Sequence, residues 1–239
     1  MRLNAKQKIP FKGMMRSMMM LVATVFILSS CNNDDGDSLP ENVAYVSLYQ
    51  ASPNAPAMDI GIDNRQLNIY PFDYTDYTGY LRFYTGSRYF EFTPANANNV
   101  VADTTWTLSA GRTYSIFTVG NYNDLKVLKL EDNSDAPSDG KAKVRLVNLS
   151  PDAPTLEVKA DGQTDPLFSG SNFMDASDFT ELTAAEYDLM VTSPDDNGIQ
   201  LNVPDIKFQN GYYYTIILRG YHVPPAGNNN ALSVEIIVN

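Results

Sequence analysis

The sequence predicts an all-β protein with two tandem antiparallel β-sandwiches behind an N-terminal export signal. Three observations support this prediction. The first 30 residues combine basic and apolar segments, the remaining chain contains an internal repeat, and the repeat alternates apolar with polar side chains. Alternation with a period of two is typical of a strand that buries one face.

The N-terminal segment has the composition of a secretory signal peptide. Residues 1–30 contain five Lys or Arg side chains and no Asp or Glu. The apolar stretch Met18–Leu28 follows, and it is shorter than the roughly 20 residues that a membrane-spanning helix needs. A basic start, a short apolar core and small residues before a cleavage site define a signal peptide, here residues 1–30.

Cys31 is the only cysteine in the chain. The sequence Leu28-Ser29-Ser30-Cys31 resembles the lipobox of bacterial lipoproteins. The resemblance implies that the Cys31 sulfur receives a diacylglycerol, that cleavage precedes it, and that the new amine is acylated. Several acyl chains give a stable membrane anchor, because each buried methylene contributes about 0.8 kcal/mol. The alternative is an ordinary thiol beside a cleaved signal.

Residues 31–40 form an acidic tether without apolar periodicity. Such a segment behind a lipidated cysteine resembles a surface-export signal of some Gram-negative bacteria, and the alternative is a solvated spacer. The expected location is the outer membrane of the cell envelope, with the protein facing the cell surface or the periplasm.

The charge balance excludes one class of partner. The chain has a formal net charge of −11, and loss of the five basic residues in 1–30 leaves −16. Such a surface repels phosphate backbones, so we expect no nucleic-acid partner. Membrane attachment is therefore expected to depend on the lipid at Cys31.

An internal repeat organises the rest of the chain. Residues 44–65 and 142–163 are identical at eight of 22 aligned positions. A second matched pair, 109–121 and 209–221, shares two glycines, a tyrosine and an isoleucine. The blocks occur in the same order in both halves, which predicts two copies of one structural unit.

Each copy has the pattern of short strands. Met58, Ile60 and Ile62 alternate with polar residues or glycine, and Asp63-Asn64 then suits a hairpin turn. Residues 113–119 and 213–218 are apolar on both faces and are predicted to be central strands. The segment 173–190 is the one candidate for a helical turn.

These patterns predict the domain boundaries. The first sandwich is expected at 41–133, a linker rich in Asp, Ser and Pro at 134–140, and the second sandwich at 141–239.

The motifs Ser-Pro-Asn-Ala-Pro (52–56) and Ser-Pro-Asp-Ala-Pro (150–154), each followed by an alternating strand and a Gly-x-x-Tyr strand, resemble the bacterial domain-of-unknown-function family 4397. The resemblance covers most of 43–239 and implies tandem sandwiches, immunoglobulin-like or transthyretin-like, in extracytoplasmic proteins that are often lipoproteins. It implies no activity, substrate or catalytic residue. The residues themselves favour a stiff structural turn, because proline fixes φ.

Catalytic and metal-binding patterns are weak. The only histidine, His222, lies in a Pro/Gly/Asn-rich segment, and no Gly-x-Ser-x-Gly motif accompanies it. The acidic clusters at 132–135 and 195–197 do not have EF-hand spacing, so solvated turns are favoured over calcium sites. We therefore expect no enzyme activity, no cofactor, no metal and no catalytic residue.

Residues 70–92 contain ten aromatic side chains, far more than the matching part of the second copy. Tyr70, Tyr74 and Tyr77 are the candidate ligand-binding residues, since tyrosine suits wet binding surfaces. If the segment is extended, Tyr70, Phe72 and Tyr74 share one face, about 7 Å apart. The alternative is that these rings pack the core and the boundary between the sandwiches.

The leading functional hypothesis is a lipid-anchored, non-enzymatic binding or structural module of the cell envelope. Its expected partners are the membrane, through Cys31, and a glycan or an envelope protein. The alternatives are a surface glycan-capture lipoprotein and, less favoured, a glycoside hydrolase with paired carboxylates.

Overall fold

The computed structural model describes residues 42–132, 135–196 and 198–239. Within these ranges the chain forms 16 β-strands and no helix, which confirms the all-β prediction. No helix in the described ranges has the length and apolar character needed to cross a bilayer. The predicted signal peptide, the tether and Cys31 lie outside the described residues.

The first sandwich consists of two four-stranded sheets. Its strands are β1 (Val43–Gln50), β2 (Met58–Ile62), β3 (Arg65–Gln66), β4 (Leu81–Tyr84), β5 (Gly86–Pro94), β6 (Ala102–Leu108), β7 (Thr113–Asn121) and β8 (Asp124–Glu131). Sheet A has the order β4-β1-β7-β8, and sheet B has the order β3-β2-β5-β6.

The second sandwich repeats this architecture. Its strands are β9 (Lys141–Asn148), β10 (Leu156–Ala160), β11 (Phe168–Ser171), β12 (Thr180–Thr183), β13 (Glu186–Thr192), β14 (Gln200–Lys207), β15 (Tyr213–Arg219) and β16 (Ser233–Val238). Sheet C has the order β12-β9-β15-β16, and sheet D has the order β11-β10-β13-β14. The two copies therefore have the same strand order.

One strand pair in each sandwich departs from the antiparallel expectation. Strand β1 pairs in parallel with β7, with Val46 opposite Tyr114. Strand β9 pairs in parallel with β15, with Val144 opposite Tyr214. Parallel neighbours need a long crossover connection, which the strands between them supply. The other pairings between these strands are antiparallel.

Alternation places the apolar side chains between the two sheets of each sandwich. Val46 and Ile116 of sheet A join Met58, Ile60 and Phe92 of sheet B in one buried cluster. The second sandwich has a matching core that includes Val144, Leu146, Leu156, Val191 and Ile216. The central-strand prediction holds for β7 and β15, which are buried on both faces.

The turn predicted after β2 is present. Asp63 and Asn64 have φ angles of 49° and 63°, and they connect β2 to the antiparallel strand β3. Positive φ at both central residues is the signature of a type I′ hairpin turn.

The helical turn predicted in 173–190 is wrong. Met174 has a φ of 70°, which is incompatible with a right-handed helix, and β12 and β13 occupy most of the remaining segment. Phe173 and Met174 instead pack against the apolar cluster between the sandwiches. The spacing of apolar residues in this segment reflects that contact and strand pairing, rather than a helix face.

A third apolar cluster joins the two sandwiches. Tyr49 and Phe117, on the face of sheet A that points away from sheet B, lie in one cluster with Val147, Ile217 and Ile237 of sheet C. We call this contact the seam. Through the seam, the described residues of the two sandwiches form a single compact unit in which sheets A and C are the inner layers.

Candidate functional site

The structure separates the three candidate tyrosines. Tyr70 is 81% exposed on the connection after β3. Tyr74 is half-buried, and its hydroxyl accepts a hydrogen bond from Arg219 Nη1 at 3.3 Å. Tyr77 packs at the seam, where its ring centroid lies 6.4 Å from that of Tyr49. Tyr70 is therefore the only one of the three that projects into solvent.

The shared strand face expected for residues 70–74 is absent. This segment forms only an isolated bridge between Phe72 and Met58. Phe72 is buried in the first core, while Tyr70 is exposed. Because the Phe72 ring is part of the core of the first sandwich, Tyr70, Phe72 and Tyr74 cannot form one exposed row.

The centre of the seam contains a buried ion pair. Arg145 Nη2 lies 2.7 Å from Asp132 Oδ1, and the two side chains are 3% and 2% exposed. Asp132 Oδ2 accepts hydrogen bonds from the hydroxyls of Ser115 and Tyr80 at 2.7 and 2.8 Å. Arg145 Nε donates to Thr215 Oγ1 at 3.0 Å. Asp132 thus belongs to a buried network, which corrects the expectation of a solvated turn for this residue of the 132–135 cluster.

The electrostatics of the seam follow from its burial. Desolvation raises the pKa of Asp132, and the Arg145 guanidinium opposes that rise. Burial, followed by the hydrogen bond to the Glu235 carboxylate, raises the pKa of Tyr49 well above its usual range. Arg219 Nε also donates to Glu235, at 2.9 Å. These groups hold the two sandwiches together.

The only histidine lies near one of the acidic clusters. His222 Nε2 is 3.2 Å from Asp196 Oδ2. Ser193 Oγ accepts hydrogen bonds from the backbone N–H groups of Asp195 and Asp196, so this hydroxyl stabilises the turn. Across the described residues, no group of three or more His, Cys, Asp or Glu side chains is placed to hold a metal ion.

The two Ser-Pro-x-Ala-Pro motifs make equivalent contacts. Ser52 Oγ donates to the Gly120 carbonyl at 2.7 Å, and Ser150 Oγ donates to the Gly220 carbonyl at 2.6 Å. Both serines are fully buried, and both glycines have positive φ angles. Each motif therefore ties the end of the first strand of its sandwich to the end of the central strand, in agreement with the structural interpretation.

A cleft lies on the outer face of sheet B, on the side away from the seam. It has a volume of about 510 Å³, within the range of small-molecule sites. Strands β2 and β5 form its floor, and residues after β5 form one wall. Its polar lining comprises two carboxylates, a threonine hydroxyl and four side-chain amides: Asp59, Glu91, Thr93, Asn64, Gln66, Asn96 and Asn98. We call it the β2–β5 cleft.

The two carboxylates of the cleft differ in their surroundings. Asp59 Oδ1 accepts from Gln66 Nε2 at 3.2 Å, and Asp59 Oδ2 accepts from the Asn96 backbone N–H at 2.9 Å. The Glu91 backbone pairs with Gly61 and Asp103, and its side chain forms no hydrogen bond or ion pair with another described residue. Asp59 therefore holds the cleft in shape, while the Glu91 carboxylate has acceptors that no described side chain uses.

A glycine on β2 makes room for the Glu91 side chain. Gly61 lies directly opposite Glu91, and a Cβ at Gly61 would clash with the Glu91 side chain that lies over it. In the second sandwich, Lys159 stands opposite Met190 at the corresponding position. The Lys159 ammonium lies 2.7 Å from Glu157, so the second copy has an ion pair where the first has Gly61 covered by Glu91.

Sequence analysis did not identify this cleft. The repeat alignment did carry a signal, because Gly61 aligns with Lys159 on the polar face of the same strand. The contribution of Glu91 could not be found in that way, because it depends on which strand pairs with β2.

A known family matches the part of the chain that contains the β2–β5 cleft. Residues 44–159 match the family model described as "Domain of unknown function (DUF4397)". The match to DUF4397 runs from β1 to β10, so it includes nearly all of the first sandwich and the first two strands of the second. The resemblance predicted from the motifs is confirmed over this range. No curated protein matches the chain.

Proposed function

We propose that this protein is a lipid-anchored, non-enzymatic binding module of the cell envelope. In this proposal the acyl groups on Cys31 hold it on the outer membrane, and the β2–β5 cleft is its binding site. The observation that carries the proposal is the cleft itself, which combines an adequate volume with carboxylates and amides in its lining.

We further propose that the described chain is a tandem pair of DUF4397-like units. The family match ends within the second sandwich, at residue 159. Support for extending the assignment to Val238 comes from the equal strand order and the equal parallel register in both sandwiches.

A glycoside hydrolase is the alternative that the cleft chemistry favours, because two carboxylates line one cavity. Hydrolysis needs both carboxylates at the scissile bond, one as acid and the other as base or nucleophile. Both oxygens of Asp59 already accept hydrogen bonds within the cleft, which favours binding over turnover. Incubation with neutral polysaccharides and analysis of released oligosaccharides tests this, and product formation that Glu91→Gln abolishes would establish the hydrolase instead.

The anchor is tested with Cys31→Ser in the full chain. We expect the wild type to incorporate labelled fatty acid and to sediment with membranes. The variant should incorporate no label and should be recovered in the aqueous phase. Ser38→Ala, a change of similar size in the tether, is the matched control and should behave as the wild type. Label incorporated by the Cys31→Ser variant would refute the anchor.

A further inference from the structure

We infer that the β2–β5 cleft binds an uncharged saccharide. This inference rests on the proposed binding function and specifies its ligand class. Three properties of the cleft support it: the hydrogen-bonding groups, the charge, and the difference from the matching face of the second sandwich.

The side chains that line the cleft offer both hydrogen-bond donors and hydrogen-bond acceptors. Each side-chain amide of Asn64 and Asn98 supplies two N–H donors and one carbonyl acceptor, while Glu91 supplies acceptors only. Sugar hydroxyls both donate and accept, so a saccharide can satisfy all of these groups at once. An amine ligand only donates, and it would leave the amide N–H groups without acceptors in the complex.

The charge of the cleft excludes another ligand class. Asp59 and Glu91 line it, and no Lys or Arg side chain does. The wider protein is also acidic, with a net charge of −11 for the whole chain. Phosphorylated, sulfated or uronic-acid ligands would therefore be repelled, whereas a neutral saccharide carries no such penalty.

The matching face of the second sandwich has a smaller and different cavity. Its volume is about 280 Å³, and its lining includes Asp161, Met190 and Asn202. Lys159, which aligns with Gly61, forms an ion pair with Glu157. Met190 stands where the first copy has Glu91, so the second copy lacks that carboxylate on the same strand framework.

The test uses the purified protein on an array of neutral, anionic and cationic oligosaccharides, followed by titration calorimetry. The neutral probes are hexamers of glucose, mannose, galactose and xylose, the anionic probes are oligogalacturonates, and the cationic probes are chitosan oligomers. We expect retention of at least one neutral probe with one site per chain, and no retention of the anionic probes.

Variants assign the binding to the cleft. Gly61→Lys and Glu91→Met, which reproduce the residues of the second copy, should each lower affinity at least about tenfold. Asn98→Ala, at an exposed position, should weaken binding without a change in melting temperature. Lys159→Ala, on the corresponding strand of the second sandwich, is the matched control and should leave affinity unchanged.

Each outcome has a defined meaning. Retention of the chitosan oligomers alone, with loss in the cleft variants, would overturn the inference of an uncharged ligand and leave the proposed binding function standing. Retention of a neutral probe that none of the cleft variants weakens would overturn the inference by placing the site elsewhere. Failure to retain any neutral probe would also overturn it, while the anchor experiment with Cys31→Ser tests the envelope function separately.

Discussion

Replacing Arg145 by methionine is expected to destabilise the protein strongly, because it leaves Asp132 charged, buried and without its counter-ion. The two side chains are 3% and 2% exposed, and they lie 2.7 Å apart. Removing one partner of a buried pair typically costs about 3–5 kcal/mol. For a unit of this size, that loss corresponds to a fall of about 6–20 °C in the melting temperature.

The loss of unfolding free energy in Arg145→Met should be larger at neutral pH than at acidic pH. Burial already raises the pKa of Asp132 in the folded protein, and the loss of Arg145 removes the group that opposes the rise. A carboxyl group with a raised folded pKa destabilises the fold at pH values above that pKa. The penalty disappears as the pH falls toward the unfolded value, about 3.9. The deficit of Arg145→Met relative to the wild type should therefore be largest at neutral pH and shrink on acidification.

Urea unfolding at neutral and mildly acidic pH measures these effects. The double variant Arg145→Met/Asp132→Asn should recover most of the lost stability, because no buried charge remains. Arg112→Met is the matched control, since Arg112 forms an ion pair of 2.9 Å with Glu131 at half-exposed positions and should cost at most about 1 kcal/mol. Equal losses for Arg145→Met and Arg112→Met, or a loss independent of pH, would refute the reasoning.

Three further substitutions test the local geometry by urea unfolding. Gly120→Ala should lower the free energy of unfolding by about 1–2 kcal/mol, because alanine disfavours the left-handed backbone conformation at this position. Gly220→Ala should lower it by more. A Cβ at Gly220 would lie 2.2 Å from the Ala231 carbonyl oxygen, and the closest atom at Gly120 would be 3.0 Å away. The reverse order would contradict this account. Tyr49→Phe should cost about 1.5–3 kcal/mol through loss of the hydrogen bond to the Glu235 carboxylate, and it should leave saccharide binding unchanged.

The internal repeat made much of the fold predictable. Matching blocks identified the strand pairs β1/β9, β2/β10 and β7/β15, and the Asp63-Asn64 turn followed from residues that tolerate positive φ. The parallel pairing of β1 with β7 was not predictable, because a local period of two is the same in parallel and antiparallel strands. The helical turn predicted around Phe173 and Met174 was wrong because these apolar residues form a contact between the sandwiches, which local spacing does not distinguish from a helix face.

The candidate site was less predictable than the fold. Tyr74 and Tyr77 are residue types that suit a binding surface, yet they contact the second sandwich or the seam. The contact between sheets A and C could not be predicted, because no local sequence pattern indicates which sheets pack together. The cleft depends on a glycine and a glutamate that are 30 positions apart and meet only through the β2–β5 register. Its residues are ordinary polar types, so composition gave no signal comparable to that of the aromatics.

Hydrogen exchange with mass spectrometry, with and without saturating neutral oligosaccharide, tests the central claim most directly. The best-retained probe of the array is used on the purified protein. Ligand binding in the β2–β5 cleft should slow amide exchange in 58–66 and 86–98, because local opening of those strands is suppressed in the complex. The exchange in 156–171 and 186–192 of the second sandwich should not change. Protection confined to 70–77 would contradict the account and restore the aromatic segment as the binding site.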